Sequence, residues 1–298
     1  MRIFVTGASG WIGAAVIGEL RRAGHDVLGL ARSDASAVKV GALGAEVHRG
    51  DLDDTDSLAA GAAAADGVVH LAYDHDFTQM EAAAKTDLAA IEAMGSALEG
   101  TGAPFLFASG TAGLAPGRVA TEEDSPDPGH YPRSANAVAA TALAERDVRV
   151  VAVRFAPSVH GPGDPGFVAT LVDIARERGV AGYVGDGANR WPAVHRLDAA
   201  DLVRRAVEDA PAGTAVHAIA EEGVSTREIA AAIGRGLDLP VTSIPPEQAN
   251  DHFGWMGSFV GADIPASSTI TRERFGWSPT HPGLIADLDA GAYVDAAA

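Results

Sequence analysis

The opening segment, RIFVTGASGWIGAAVIGEL, constrains the fold more than any other part of the chain. A short apolar run ends at a glycine, and two further glycines follow at intervals of three before an Ala-rich helical stretch. Gly7 permits a tight turn, Gly10 lets the backbone approach a pyrophosphate, and Gly13 lets the helix pack closely on the strand. Because anions bind at the exposed N–H groups of a helix N-terminus, this segment predicts a dinucleotide site, and a structural turn is the alternative. The residues expected to contact the dinucleotide there are Gly7, Ser9, Gly10, Trp11, Ile12 and Gly13.

Short β-branched runs alternate with Ala-rich helical stretches as far as Phe155. This alternation predicts an α/β fold, a Rossmann-type doubly wound parallel sheet with right-handed crossovers. Beyond Phe155 the chain becomes rich in Gly and Pro, which indicates a smaller C-terminal substrate lobe. We therefore expect residues 1–156, joined by about 190–220, to form the dinucleotide-binding domain. The lobe would then comprise about 157–189 and 221–298.

Charge and composition exclude several classes of function. The net charge of −18 would repel a polyanion such as DNA, so we expect no nucleic-acid partner. The chain contains no cysteine, which excludes disulfides and thiolate metal sites, and the Asp-His-Asp run at 74–76 lacks further ligands, so no metal is expected. No apolar run reaches the length of about 18 residues that spans a bilayer. Together with an N-terminal apolar run that is too short for a signal peptide, this favours a cytoplasmic protein without a membrane partner, whereas the lack of cysteine leaves the compartment open.

The end of the second predicted strand bears on which dinucleotide is bound. An acidic side chain there accepts the ribose 2′-OH of NAD, whereas an arginine accommodates the 2′-phosphate of NADP. Here Arg32 and Ser33 occupy the strand end, and Asp34 lies slightly farther along. The sequence therefore favours NADP(H) over NAD(H), with a solvated surface role for Arg32 as the alternative.

Two later strand ends complete the expected cofactor site. Asp51 and Leu52 follow the third strand and would flank the adenine, although Asp51 could equally be a turn or helix-cap residue. Leu71, Ala72 and Tyr73 end the fourth strand and would lie under the cofactor in the crevice at the strand ends.

These motifs together resemble the short-chain dehydrogenase/reductase superfamily, specifically its extended and atypical branches, which include NAD(P)-dependent epimerases and dehydratases. The matching pieces are T-G-x-x-G-x-x-G at 6–13, GDL at 50–52, VVHLA at 68–72, RFAPSVHGPGD at 154–164, WPAVHRLDAADLV at 191–203 and FGWSP at 275–279. The resemblance covers nearly the whole chain. It implies a Rossmann-type domain that binds NAD(P), a small substrate lobe and oxidoreductase activity.

The resemblance also implies a catalytic Tyr-x-x-x-Lys pair, and here the chain departs from the pattern. Tyr131 precedes a predicted helix from about Ser134 to Arg146, and Ala135 stands where the lysine would follow. When the segment is aligned back from Arg154, Asn136 falls at the lysine position instead. Tyr131 thus remains a candidate proton donor although the family's lysine is missing, and Asn136 could hold a water in its place.

Other side chains could orient a substrate or supply a proton. Ser109 and Thr111 follow the fifth strand, where the family places a hydroxyl beside the substrate carbonyl, though small polar residues there are often turn formers. His75 follows the fourth strand and titrates in a useful range, with a solvated loop histidine as the alternative.

Three functions fit these observations. The first is an NADP(H)-dependent oxidoreductase, a ketone or aldehyde reductase that acts on a small-molecule carbonyl substrate. The second is a non-catalytic NADP(H)-binding redox sensor, favoured by the missing lysine. The third is a nucleotide-sugar epimerase or dehydratase, which normally relies on the Tyr/Lys pair. The sequence leaves open whether the chain forms a homodimer.

Overall fold

The computed structural model describes residues 1–76, 79–129 and 131–293. Its centre is a seven-stranded sheet in which every neighbouring pair of strands is parallel, in the order β3-β2-β1-β4-β5-β6-β10. The strands of this sheet are β1 (Arg2–Thr6), β2 (Asp26–Ala31), β3 (Glu46–Arg49), β4 (Gly67–His70), β5 (Pro104–Gly110), β6 (Arg149–Phe155) and β10 (Thr214–Ala218). The predicted fold class, a Rossmann-type α/β sheet, is confirmed.

Five strands make two smaller sheets, in the orders β11-β9-β7 and β12-β8. They are β7 (Ser158–His160), β8 (Ala181–Val184), β9 (Arg190–His195), β11 (Glu221–Ser225) and β12 (Val241–Ile244). The helices are α1 (Trp11–Arg22), α2 (Asp34–Ala42), α3 (Thr55–Ala63), α4 (Met80–Ala97), α5 (Pro132–Ala142), α6 (Phe167–Arg178), α7 (Arg196–Asp209), α8 (Thr226–Leu237), α9 (Ala249–Phe253), α10 (Gly257–Val260), α11 (Thr269–Phe275) and α12 (Leu284–Asp289).

Helices cover both faces of the large sheet because its strands are apolar on both sides. Ile3 and Val5 of β1 join one core, to which α1 and α7 contribute. Phe4, between them in sequence, points to the opposite core, to which α3, α4 and α5 contribute. The period-two alternation along β1 therefore fills both layers from one strand.

The small lobe has its own core, formed by β8, β9, α6, α8, α9 and α12. Of the region predicted to return to the large sheet, α7 and β10 do pack there, whereas β9 pairs with β7 and β11. Trp277 lies in the core beside α7, where its Nε1 donates to Asp198 O at 3.1 Å. Residues 294–298, included in the predicted lobe, lie outside the described residues.

Among the described helices, none combines the length and the apolar character needed to cross a bilayer.

Candidate active site

The glycine turn after β1 is held in place by backbone packing. Gly7 has a φ of +64°, and a Cβ on it would lie 2.8 Å from the amide nitrogen of Ala72. A Cβ on Gly13 would lie 2.1 Å from Gly7 O, so the start of α1 presses against the turn. Gly10, the N-cap residue, has no side chain and supplies no cap to α1, so among the described residues the N–H groups of the first turn remain available to an anion.

Trp11 joins the glycine turn to β7. Its indole Nε1 donates to Val159 O in β7 at 2.7 Å, and the guanidinium carbon of Arg196 lies 4.1 Å from the centre of its ring. Ser9 and Ile12 are half-buried on either side of it. Arg196, which sequence analysis did not identify, thus places a positive charge near the N-terminus of α1.

The end of β2 presents an arginine to solvent. Within the ranges that the structure describes, no hydrogen bond or ion pair engages the Arg32 side chain, which is exposed. Ser33 accepts from the N–H of Ser36 at 3.2 Å and so caps α2. Asp34 forms an ion pair with Arg49, which reduces its effect on Arg32. Arg32 is therefore available for a phosphate group.

The ends of β3 and β4 border the same edge of the sheet. Asp51 is half-buried and its carboxylate has no partner among the described residues, whereas Leu52 packs on the core. The hydroxyl of Thr6 accepts from the N–H groups of Leu71 and Ala72, each at 3.1 Å. These two bonds fix the segment that we predict to lie under the cofactor.

A buried polar chain runs from Thr6 to helix α5. Because the Thr6 hydroxyl accepts two backbone N–H groups, its proton is directed to His70 Nδ1, 2.7 Å away. His70 Nε2 then donates to Asp87 Oδ1 at 3.1 Å, and Asn136 Nδ2 donates to Asp87 Oδ2 at 2.7 Å. Burial raises the pKa of Asp87, but the hydrogen bonds from His70 and Asn136 and the nearby charge of Arg133 outweigh it, so that the pKa lies below its ordinary value.

The start of α5 decides where its side chains face. The helix begins at Pro132, two residues before the predicted start, because proline is well suited to the first helical position. Tyr131 is the N-cap residue and is 45% exposed, and Ala135, at the usual lysine position, is also exposed. Asn136 is buried, and its amide nitrogen donates to Ala84 O and to Asp87.

Arg133 is the principal residue that sequence analysis missed. Its Nη2 donates to Ala108 O at 3.1 Å, and its guanidinium carbon lies 3.9 Å from the centre of the Tyr73 ring. His75 packs edge-on against Tyr73, with ring centres 5.5 Å apart. Burial and then the charge of Arg133 lower the pKa of His75, whereas burial raises the pKa of Tyr73 against the opposing effect of Arg133. These three side chains lie together at the ends of β4 and β5.

The two candidate hydroxyls differ in exposure. Ser109 is half-buried near the end of β5, and its hydroxyl has no partner in the described part of the chain. Thr111 is only 2% exposed, and its Oγ1 is buried without a hydrogen bond there, although its N–H donates to Phe155 O at 3.2 Å. Unsatisfied buried hydroxyls are uncommon, so Thr111 has spare hydrogen-bonding capacity.

Residues 3–219 match the model of the NAD dependent epimerase/dehydratase family. The chain belongs to this family. Membership confirms the resemblance drawn from the motifs and identifies the protein as an NAD(P)-dependent enzyme of the short-chain dehydrogenase/reductase superfamily.

Two relatives align over nearly the whole chain, and a third aligns over about two thirds of it. It is 46% identical over 295 residues to "Uncharacterized protein C2A9.02" of Schizosaccharomyces pombe, covering 98% of this chain and 100% of the relative. It is 43% identical over 293 residues to "Uncharacterized protein YLL056C" of Saccharomyces cerevisiae, covering 97% and 98%. The 2-alkyl-3-oxoalkanoate reductase of Stenotrophomonas maltophilia is 30% identical over 203 residues, which cover 64% of this chain and 60% of that enzyme.

Solved structures share the fold at low identity. The crystal structure of gox2253 aligns with a TM-score of 0.78 and 21% identity over 98% of this chain and 97% of that one. The UDP-glucose 4-epimerase of Thermus thermophilus, in complex with NAD, aligns with a TM-score of 0.76 and 20% identity over 100% of both chains.

The family's dinucleotide fits the residues at this edge of the sheet. The free N–H groups of α1 and the close approach permitted at Gly10 suit a pyrophosphate, and Arg32 and Asp51 are polar side chains without partners in the described ranges. The order of the strands reverses between β1 and β4, which is where a dinucleotide crosses such a sheet.

One group of side chains has the composition of a metal site. Ligand atoms of His195, Asp198 and His281 lie within 4.8 Å of one another. However, Asp198 already accepts from the N–H groups of Thr280 and His281 and contacts His281 Nδ1 at 2.8 Å. The rings of His195 and His281 stack nearly parallel, 4.7 Å apart, so their in-plane lone pairs do not converge. These contacts explain the group as a hydrogen-bonded anchor between α7 and the C-terminal segment.

Proposed function

We propose that the protein is an NADP(H)-dependent reductase of small, apolar ketones or aldehydes. The observation that carries the NADP(H) preference is Arg32, which follows β2 as an exposed guanidinium without a partner among the described residues. A guanidinium binds phosphate through two parallel hydrogen bonds, so Arg32 suits a ribose 2′-phosphate.

Reduction of a carbonyl is supported by the crevice and by two relatives. The 2-alkyl-3-oxoalkanoate reductase is one, and a ketoreductase of Stigmatella aurantiaca, 42% identical over 72 residues, is the other. Ser109 and Thr111 bring hydroxyl groups to the end of β5, where they could orient a carbonyl oxygen.

Each part of the cofactor and each step of the reduction can be assigned to residues of this chain. The N-terminus of α1 would hold the pyrophosphate, Arg32 the 2′-phosphate and Asp51 the adenine side. Bound NADPH supplies a hydride to the carbonyl carbon, and a proton must reach the oxygen, so that an alcohol and NADP⁺ result. Ser109 or Thr111 would orient the carbonyl, and Tyr131, exposed at the start of α5, would donate the proton.

Substitution of Arg32 tests the cofactor preference. Arg32→Ser should weaken NADPH binding about tenfold to a hundredfold, since a hydrogen bond to a charged group contributes about 1.5–3 kcal/mol, and should leave NADH binding unchanged. Arg22→Ser is the matched control, because Arg22 is exposed at the far end of α1. An equal loss of affinity for NADPH and NADH, or no loss for either, would exclude Arg32 as the ligand of the 2′-phosphate.

Substitution of Tyr131 tests the proton donor. Tyr131→Phe should lower kcat about 100-fold on an active carbonyl substrate while leaving NADPH affinity intact. Unchanged turnover would exclude Tyr131 from the reaction and assign the proton to another group in the crevice.

A redox sensor is the second candidate, favoured by the geometry of α5. Tyr131 precedes the helix and Ala135 faces solvent, so no lysine on α5 accompanies the tyrosine. A sensor would bind NADP(H) but oxidise none of it with any carbonyl compound. Measuring NADPH consumption over a panel of aldehydes, ketones and enones separates the two functions.

We also propose a cytoplasmic location and a small-molecule partner. The two reductase relatives support a small-molecule partner, and the net charge of −18 disfavours a nucleic-acid partner.

A further inference from the structure

Arg133 lies beside the crevice at the strand ends, in the half away from the predicted adenosine site. Arg32 and Asp51 follow β2 and β3, on one side of the point where the strand order reverses. The second half of a dinucleotide therefore lies over the ends of β4 and β5. Arg133 contacts both of these ends, through Ala108 O at 3.1 Å and the Tyr73 ring at 3.9 Å.

The position of the Arg133 guanidinium is constrained by its surroundings. Arg133 and Asn136 are three residues apart and so share one face of α5. Asn136 is anchored to Asp87 and to Ala84 O, which holds that face against α4. The Tyr73 ring covers the guanidinium from the other side.

The charge of Arg133 is not neutralised by an ion pair with any described residue. Arginine remains protonated in proteins, and this side chain makes a single hydrogen bond within the described chain, to a neutral carbonyl. Its Nε is buried without a partner there. Asp87 is the carboxylate that acts on it through space, yet both oxygens of Asp87 already accept from His70 and Asn136. A partly buried cation with unused donors is costly unless a ligand completes its surroundings.

We propose that Arg133 is the fixed cation of the reaction centre, and that it biases the enzyme toward the reduced cofactor and toward carbonyl reduction. The nicotinamide ring carries a positive charge when oxidised and none when reduced, so a nearby guanidinium disfavours NADP⁺ relative to NADPH. The same charge stabilises the negative oxygen that develops as a carbonyl accepts hydride. This inference rests on the proposed function, because it requires the nicotinamide to lie over β4 and β5.

Binding of the two redox forms tests the inference without a substrate. The dissociation constants of NADP⁺ and NADPH would be measured by calorimetry for the wild type, Arg133→Gln and Arg133→Lys. Glutamine can still donate a hydrogen bond toward Ala108 O but carries no charge, whereas lysine keeps the charge. Arg146→Gln is the matched control, since Arg146 follows α5 and pairs with Glu99 at the surface.

The quantity of interest is the ratio of the NADP⁺ to the NADPH dissociation constant. We expect Arg133→Gln to lower this ratio about tenfold, and Arg133→Lys and Arg146→Gln to leave it within about twofold of the wild type. An unchanged ratio in a folded Arg133→Gln variant would overturn the role of Arg133 and leave the proposed function standing. If the wild type bound neither form, the proposed function itself would be wrong, and this inference with it.

If Arg133→Gln does not fold, Arg133→Lys and Tyr73→Leu decide the question. Tyr73→Leu removes the ring that covers the guanidinium and exposes the charge to water, which screens it. In Tyr73→Leu, the ratio of the NADP⁺ to the NADPH dissociation constant should fall by about threefold, whereas in Arg133→Lys it should stay at the wild-type value. A ratio that stayed constant in Tyr73→Leu would contradict the inference.

Discussion

The substitution Gly13→Ala should displace the glycine turn after β1. The new Cβ would stand 2.1 Å from Gly7 O and 2.8 Å from Gly7 C, both of them backbone atoms. Real Cβ contacts are essentially never shorter than 3.0 Å, so the gap must open by about 0.9 Å. Gly7 has no room to withdraw, because a Cβ at that position would already lie 2.9 Å from Leu71 C.

Gly18→Ala provides the matched control for this change. Gly18 lies on the same helix, and a Cβ there meets no atom within 4 Å. Both variants gain the same intrinsic helix propensity, about 1 kcal/mol, so their difference isolates the steric strain. Overpacking of this kind costs about 1–3 kcal/mol, which is therefore the expected difference in the free energy of unfolding.

Urea unfolding measures that difference, and calorimetry with NADPH measures its consequence for the site. We expect Gly13→Ala to lose about tenfold or more in NADPH affinity, since one hydrogen bond to a charged phosphate contributes about 1.5–3 kcal/mol. Gly18→Ala should bind like the wild type. Equal stability and equal affinity in the two variants would refute the packing argument for the glycine turn.

Three further predictions follow from buried or stacked groups. Burial, the largest cause, lowers the pKa of His217 to about 4. The unfolded chain, with a histidine pKa of about 6.5, therefore takes up the proton first, and roughly 3 kcal/mol of stability present above pH 6.5 should be lost as the pH falls to 4. His217→Gln should flatten that part of the urea-unfolding profile, and an unchanged profile would exclude His217 as its cause. Asp87→Asn should lower the free energy of unfolding by about 1–3 kcal/mol at pH 7, because an amide N–H would face the donors of His70 or Asn136; a urea midpoint equal to that of the wild type would contradict the deduced donor directions. Arg196→Met keeps an apolar contact with its neighbouring ring but removes the charge beside α1, so calorimetry should show NADPH and NADH binding weakened alike, by about fivefold. Loss for NADPH alone would place Arg196 at the 2′-phosphate instead.

The large sheet could be predicted from the sequence because its signals are local. Apolar runs of strand length, the glycine spacing from Gly7 to Gly13 and the alternation with helical stretches all act over a few residues. The boundary of α5 shows the limit of such signals. Pro132 is well suited to the first helical position, and this signal could have placed the start of the helix two residues earlier.

The residues that sequence analysis missed are positioned by contacts between segments that are far apart in the chain. Arg133 would have been read as a surface arginine, since nothing near it in sequence shows that Tyr73 stacks on it. Had the helix been started at Pro132, the spacing of Arg133 and Asn136 would have placed them on one inward face. The pairing of His70 with Asp87 likewise joins a strand to a helix and is visible only in the folded chain.

The most direct test of the account is the steady-state rate of NADPH oxidation by the wild-type protein with a panel of ketones and aldehydes, measured beside NADH under identical conditions. We expect turnover of at least one apolar carbonyl compound, with kcat/KM at least about tenfold higher for NADPH than for NADH, as a guanidinium–phosphate contact at Arg32 requires. Turnover that prefers NADH, or tight NADPH binding without turnover of any carbonyl in the panel, would contradict it.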